Sequence, residues 1–210
     1  MNPLQILDYG GMAVFAATGA LAASRKQLDI IGFLFLAGIT AIGGGTVRDV
    51  VLDLPVFWVV NPGHILVAAL VAVLVYFTAH LVESRYKLLL WLDAVGLAAY
   101  CVLGAQKGLD ATGSATVAIL MGTLTATFGG ILRDLLAGEP SVLLRTEVYV
   151  TAALAGAFVH TAMMLAGLPL PAAAALAFAT AFIVRGGALR YGWTFPRYKS
   201  RPGRDPEDIP

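Results

Sequence analysis

Gly43-Gly44-Gly45-Thr46-Val47-Arg48-Asp49 follows directly on an apolar run that otherwise has the length and composition of a membrane helix. Glycine inside a helix costs about 0.5–1 kcal/mol relative to alanine, and a charged pair in hydrocarbon costs more again. The stretch therefore reads as a helix broken on purpose. Its signature returns further along the chain as Gly129-Gly130-Ile131-Leu132-Arg133-Asp134. The two copies are accordingly read as one site.

The surrounding composition sets the class. Hydrophobic residues make up 59% and charged residues 13% of the 210 positions, against roughly 25% charged in soluble domains. With a mean hydropathy of +0.81, this is the profile of an integral membrane protein. A net charge of +1 argues against nucleic-acid binding. The single Cys101 excludes an intrachain disulfide and a thiolate metal cluster. His64, His80 and His160 lack ligand spacing and are assigned structural or interfacial roles. Neither a cofactor nor a metal is called for, beyond transient monovalent cations. The N-terminus, Met1-Asn2-Pro3-Leu4, lacks the basic stretch and cleavage site of a signal peptide, so the first helix is expected to be retained.

A membrane-spanning helix needs about 20 mostly apolar residues. Seven such segments are expected, at about 4–23, 29–48, 63–82, 88–106, 114–134, 147–167 and 170–190. Residues 1–190 then form one transmembrane domain. Residues 191–210 form a charged, proline-rich tail, with Trp193 as an aromatic anchor at the membrane surface. Lys107 with Asp110, and Glu139 with Arg145, are expected in loops as solvated surface charge. In a seven-helix weave, twelve of the fourteen Lys and Arg residues fall on one side, leaving only Arg48 and Lys107 on the other. The positive-inside rule then puts the C-terminus in the cytoplasm and the N-terminus outside.

Laying residues 8–55 over residues 93–140 without gaps gives 12 identities in 48 aligned positions. Asp8/Asp93, Thr40/Thr125, Gly44/Gly129, Arg48/Arg133 and Asp49/Asp134 are among them. Each unit, about 4–83 and about 88–167, holds three helices. An odd number makes the second unit enter the membrane from the opposite side, giving an inverted repeat of the kind used by many transporters and some channels. The seventh helix stands outside it.

Irregular backbone survives in a bilayer only where it is buried in protein or lines a water-filled cavity. Gly43, Gly44, Gly45, Gly129 and Gly130 are thus candidate kink and pathway residues, with close helix packing as the plainer reading. Thr40 and Thr125 sit one turn earlier, where their hydroxyls could rebind freed carbonyls. Arg48, Asp49, Arg133 and Asp134 are candidate gate charges. Neighbour pairing and cross-repeat pairing of Arg48 with Asp134, or Arg133 with Asp49, stand equally open. Asp8 and Asp93 are either helix caps or carboxylates drawing cations to each mouth. Neither a nucleotide loop nor a Ser/His/Asp arrangement is present, so no enzymatic activity is expected.

The Asp-x-x-Gly start of each unit, the paired Gly-Gly-x-x-Arg-Asp stretches and seven spans with an external N-terminus resemble the prokaryotic branch of the trimeric intracellular cation (TRIC) channels. That sequence family also includes proteins regarded as glycine transporters. The resemblance covers about residues 4–190. It implies an all-α membrane protein of two inverted three-helix repeats plus a seventh helix, with the second and fifth spans kinked at their glycines. It further implies a homotrimer in the inner membrane whose protomers each carry a pore for K+ or Na+. Phe128 and Ile131 stand where the first copy has Gly43 and Thr46, so the second break is less glycine-rich. The lysine-bearing motif of animal members is absent, and their lipid and calcium regulation is not carried over. The functional expectation is a monovalent, potassium-permeable cation channel, with a secondary transporter of a small zwitterion such as glycine as the alternative.

Overall fold

The computed structural model describes residues 3–141, 148–196 and 203. Arg145 and most of the tail lie outside the described residues. Eight α-helices follow one another: α1 (Pro3–Arg25), α2 (Ile30–Val51), the single turn α3 (Phe57–Val60), α4 (Gly63–Thr78), α5 (Arg85–Thr112), α6 (Ala115–Leu136), α7 (Val150–Leu165) and α8 (Leu170–Tyr191). All but α3 and α7 are long and apolar enough to cross a membrane, α4 by counting the turn Ala79–Leu81 that continues it. The helix α7 is apolar but only 16 residues long.

Local sequence accounts for the ends. Asp29, Ser84 and Ser114 cap the starts of α2, α5 and α6 by accepting from Gly32 N, Lys87 N and Val117 N. The ends of α2 and α6 are built alike: Leu54 N donates to Asp49 O and Glu139 N to Asp134 O, both at 2.8 Å. The left-handed residue this closure needs is Asp53 in one case and Gly138 in the other.

The centre of the molecule is α5, packed on α1, α6, α7 and α8, while α1 also packs on α2 and α4. Its most apolar window is 67% buried, against 22% for α4. Without a hydrophobic drive between helices in lipid, close packing must hold them together. Alanine supplies that surface, with Ala16, Ala20, Ala37, Ala98, Ala105 and Ala126 all buried. Where α1 and α5 meet, the rings of Phe15 and Tyr100 stack with centroids 5.2 Å apart and planes 3° from parallel.

The expected break in the second span is corrected here. The helix α2 runs without interruption from Ile30 to Val51, through all three glycines, and α6 likewise passes through Gly129 and Gly130. Losing intrahelical hydrogen bonds inside a bilayer costs several kcal/mol per orphaned group, which outweighs the modest propensity cost of glycine. The glycines instead permit contact: a Cβ at Gly44 would collide with the carbonyl oxygen of Thr125, and one at Gly129 with that of Thr40. Residue number rises along α2 as it falls along α6, so these helices cross antiparallel, backbone against backbone.

Candidate functional site

The antiparallel crossing sends the two Arg-Asp pairs to opposite ends. The glycines meet, but the charges that follow them do not, so the two copies form one crossing with two separate charged ends. Each arginine pairs with its own neighbour in sequence, and the described ion pairs include neither cross-repeat pairing.

At the first end, Asp49 is fully buried and gathers two cations on one oxygen. Arg48 Nε and Nη2 lie 2.8 and 2.7 Å from Oδ1, and Lys107 Nζ lies 2.9 Å from the same atom. Its Oδ2 accepts from the backbone N–H of Phe57 at 2.9 Å, which ties the short turn α3 to the site. Asp8 faces His64, with Oδ2 3.0 Å from Nε2, while Nδ1 lies 2.9 Å from the Asn61 carbonyl. Tyr9 stacks on His64 and Phe57 meets it edge-on, fixing the ring.

These groups border a cavity of about 230 Å³ lined by Asp8, Arg48, Tyr100, Gln106, Lys107 and Asp110 among others. The Tyr100 hydroxyl is buried there without a hydrogen-bond partner among the described residues. A water or ion in the cavity would supply one.

The second end is packed around a denser cluster of ion pairs. Arg133 is 2% exposed, with Nη1 2.7 Å from Asp93 Oδ1 and 3.1 Å from Thr18 Oγ1. Its Nε and Nη2 lie 3.0 and 2.9 Å from Asp134 Oδ1. Outside this lock, Arg25 and Lys26 reach Glu139 at 3.4 and 3.2 Å, and Arg25 covers the Tyr86 ring. The space left among these groups is only about 10 Å³. Removing one partner of such a buried pair costs about 3–5 kcal/mol, because a charge is left unpaired.

Several sequence expectations change in detail. Asp8 and Asp93 lie inside α1 and α5 and cap neither helix; one borders the cavity and the other closes the far end. The hydroxyls of Thr40 and Thr125 donate to Leu36 O and Met121 O, both at 2.6 Å, within intact helices. Lys107 and Asp110 lie on α5, which continues to Thr112, and they border the cavity instead of standing in a loop. Glu139 is placed as expected near a turn but is engaged by Arg25 and Lys26. His160, assigned a structural role, meets Gln106 Oε1 at 2.9 Å. Sequence reasoning passed over Tyr100, Gln106 and Tyr149. Register carried a signal for two of them, since the offset that pairs Gly44 with Gly129 also pairs Phe15 with Tyr100 and His64 with Tyr149.

A family model described as "Glycine transporter" matches residues 5–80 and again residues 90–165, two stretches in the same register as Gly44 and Gly129. The UPF0126 inner membrane protein YadS of Escherichia coli (strain K12) is 40% identical over 198 residues, covering 91% of this chain and 94% of the relative. Among solved structures, the TRIC trimeric intracellular cation channel orthologue from Rhodobacter sphaeroides is 49% identical. It superposes with a TM-score of 0.89 over 92% of this chain and 100% of that one. The chain belongs to the prokaryotic TRIC family, which overlaps the glycine transporter family. A second structure, of TRIC cation channels, is 30% identical with a TM-score of 0.84, covering 95% of this TRIC-family chain and 98% of that one. The relatives are channels and membrane proteins, not enzymes.

Proposed function

We propose that this TRIC-family protein is a passive channel for monovalent cations, permeable to potassium. The observation that carries the reading is the antiparallel α2/α6 crossing, with a cavity that includes Asp8 and Asp110 at one end and an ion-paired cluster at the other. Asp8 and Asp110 draw cations into the cavity, and the unpartnered Tyr100 hydroxyl offers an oxygen to a partly dehydrated ion. The path continues past the Gly44–Thr125 and Thr40–Gly129 contacts, where the two spans move against each other. It leaves past Arg133, which opens when it exchanges Asp93 for water. Asp49 holds Arg48 and Lys107 so that neither cation blocks the mouth.

The pathway lies within one protomer, and three protomers assemble in the inner membrane. The spans are α1, α2 and α4 in one unit, α5, α6 and α7 in an inverted second unit, and α8 outside both. The lysine- and arginine-rich side, with Arg25, Lys26, Arg85 and Lys87, faces the cytoplasm, which places the cavity outside and the Arg133 closure inside.

Single-channel recording in planar bilayers tests this reading. A reversal potential that follows the K+ gradient is expected, with gating altered by Arg133→Ala and cation entry altered by Arg48→Ala. Silent bilayers together with saturable solute uptake would overturn it. One observation favours a second reading, transport of a small zwitterion: the cavity presents both signs, Arg48 and Lys107 opposite Asp8 and Asp110. Labelled glycine entering proteoliposomes saturably, and in response to an ion gradient, would support that reading.

A further inference from the structure

Arg185 lies on α8, beyond both stretches matched by the family model. It is 1% exposed. A fully buried arginine in a membrane helix is expensive and marks a site with a purpose. Its guanidinium carbon sits 5.0 Å from the centroid of the Tyr149 ring, and Nη1 donates to the Val148 carbonyl at 3.3 Å. Both contacts pin the start of α7 to α8.

Tyr149 in turn reaches the closed end. It is 1% exposed, and its hydroxyl is buried without a hydrogen bond among the described residues. A Cβ added at Gly130 would lie 2.5 Å from that hydroxyl, 3.3 Å from Asp93 Oδ1 and 3.5 Å from Arg133 Nη2. Phenol, carboxylate and guanidinium therefore surround one glycine. Arg185, Tyr149, Gly130 and the Arg133–Asp93 pair form a continuous packed series from α8 to the closure.

The other end is built differently. The repeat register sets His64 in the place of Tyr149, and the rings packed on it are Tyr9 and Phe57, with Arg48 lying over Phe57 instead. The end where Arg185 packs retains about 10 Å³ of space, and the opposite end about 230 Å³.

We infer that Arg185 is a positioning residue of the pathway: by clamping Tyr149 against the Arg133–Asp93 pair, α8 latches one end of the crossing shut. A cation over an aromatic face is strong where water is excluded, and the planar guanidinium both stacks and donates, which lysine does not reproduce. This inference rests on the channel reading for its assignment of the Arg133 end as the gate.

The test separates the two. Ala22 lines the closed end and Asp110 the open cavity. Ala22→Cys and Asp110→Cys are each made in a Cys101→Ser background, reconstituted in nanodiscs and reacted with a water-soluble maleimide. Arg185→Met is expected to raise labelling at position 22 about tenfold, Arg185→Lys to give an intermediate rise, and neither to change labelling at position 110. Tyr149→Leu is expected to act like Arg185→Met, and it carries the test if Arg185→Met does not fold. Unchanged labelling at position 22 in folded variants overturns the latch, as does an equal rise at both positions. Bilayer currents of the wild type decide the channel reading separately. If they are present, Arg185→Met should raise open probability about tenfold at unchanged unitary conductance.

Discussion

The carbonyl oxygen of Thr125 on α6 lies where a side chain on Gly44 of α2 would have to be, and the carbonyl oxygen of Thr40 stands in the same relation to Gly129. The two contacts share one crossing and bring the helices together in an antiparallel register. Neither alanine can be added without pushing the backbones apart.

Gly44→Ala and Gly129→Ala should therefore each destabilise the protein by about 1–3 kcal/mol, as overpacking does, and should change ion flux to a similar degree. Gly38→Ala, where nothing lies within 4 Å of the added atom, should leave flux unchanged and raise stability by about 0.5–1 kcal/mol. Thermal unfolding in detergent and bilayer recording check this; one copy tolerating alanine while the other does not would contradict a shared crossing.

Breaking the closure should be costly and visible. Asp93→Asn leaves Arg133 with Asp134 as its carboxylate partner, and Arg133→Ala leaves two carboxylates at the closed end, at about 3–5 kcal/mol for a stranded buried charge. Both variants should melt at lower temperature and spend more time open. A triple variant, Arg133→Met with Asp93→Leu and Asp134→Leu, should recover much of the stability without recovering closure.

Lys107 is about one-third exposed, so removing its charge should change stability by less than about 1 kcal/mol. Conductance should respond more. Lys107→Gln should raise single-channel K+ current, and Asp110→Asn should lower it. Both effects should shrink in concentrated salt, where the screening length falls to about 3 Å.

Asn61 and Lys26 are exposed and lie at opposite ends of the helices. With Cys101 replaced by serine, an impermeant thiol reagent on spheroplasts should label Asn61→Cys and not Lys26→Cys. The opposite result would invert the proposed orientation.

The helices were legible because their causes are local. Apolar runs of spanning length, Asp29, Ser84 and Ser114 as caps, and Pro169 before α8 all act within a turn or two of chain. The spacing that sets Asp8, Arg48 and Asp49 over Asp93, Arg133 and Asp134 is also the spacing of the two stretches matched by the family model. Lys107 was misplaced because the drop in hydropathy near Gly108 looks like the end of a span. The helix continues to Thr112, where its polar residues face a cavity that no local rule reveals.

Sequence alone established an integral membrane protein of apolar helices carrying a doubled glycine and Arg-Asp signature, because composition and spacing are properties of the chain. What the glycines do was decided only by the tertiary structure. A glycine can mark a broken helix or a close approach. The choice depends on what stands opposite Gly44 and Gly129, and those partners, Thr125 and Thr40, belong to the other repeat and lie far away in sequence. The charge pairings followed the same logic. Once the antiparallel crossing sent Arg48 and Arg133 to opposite ends, no cross-pairing remained within reach, and one end kept a cavity of about 230 Å³ where the other kept about 10 Å³.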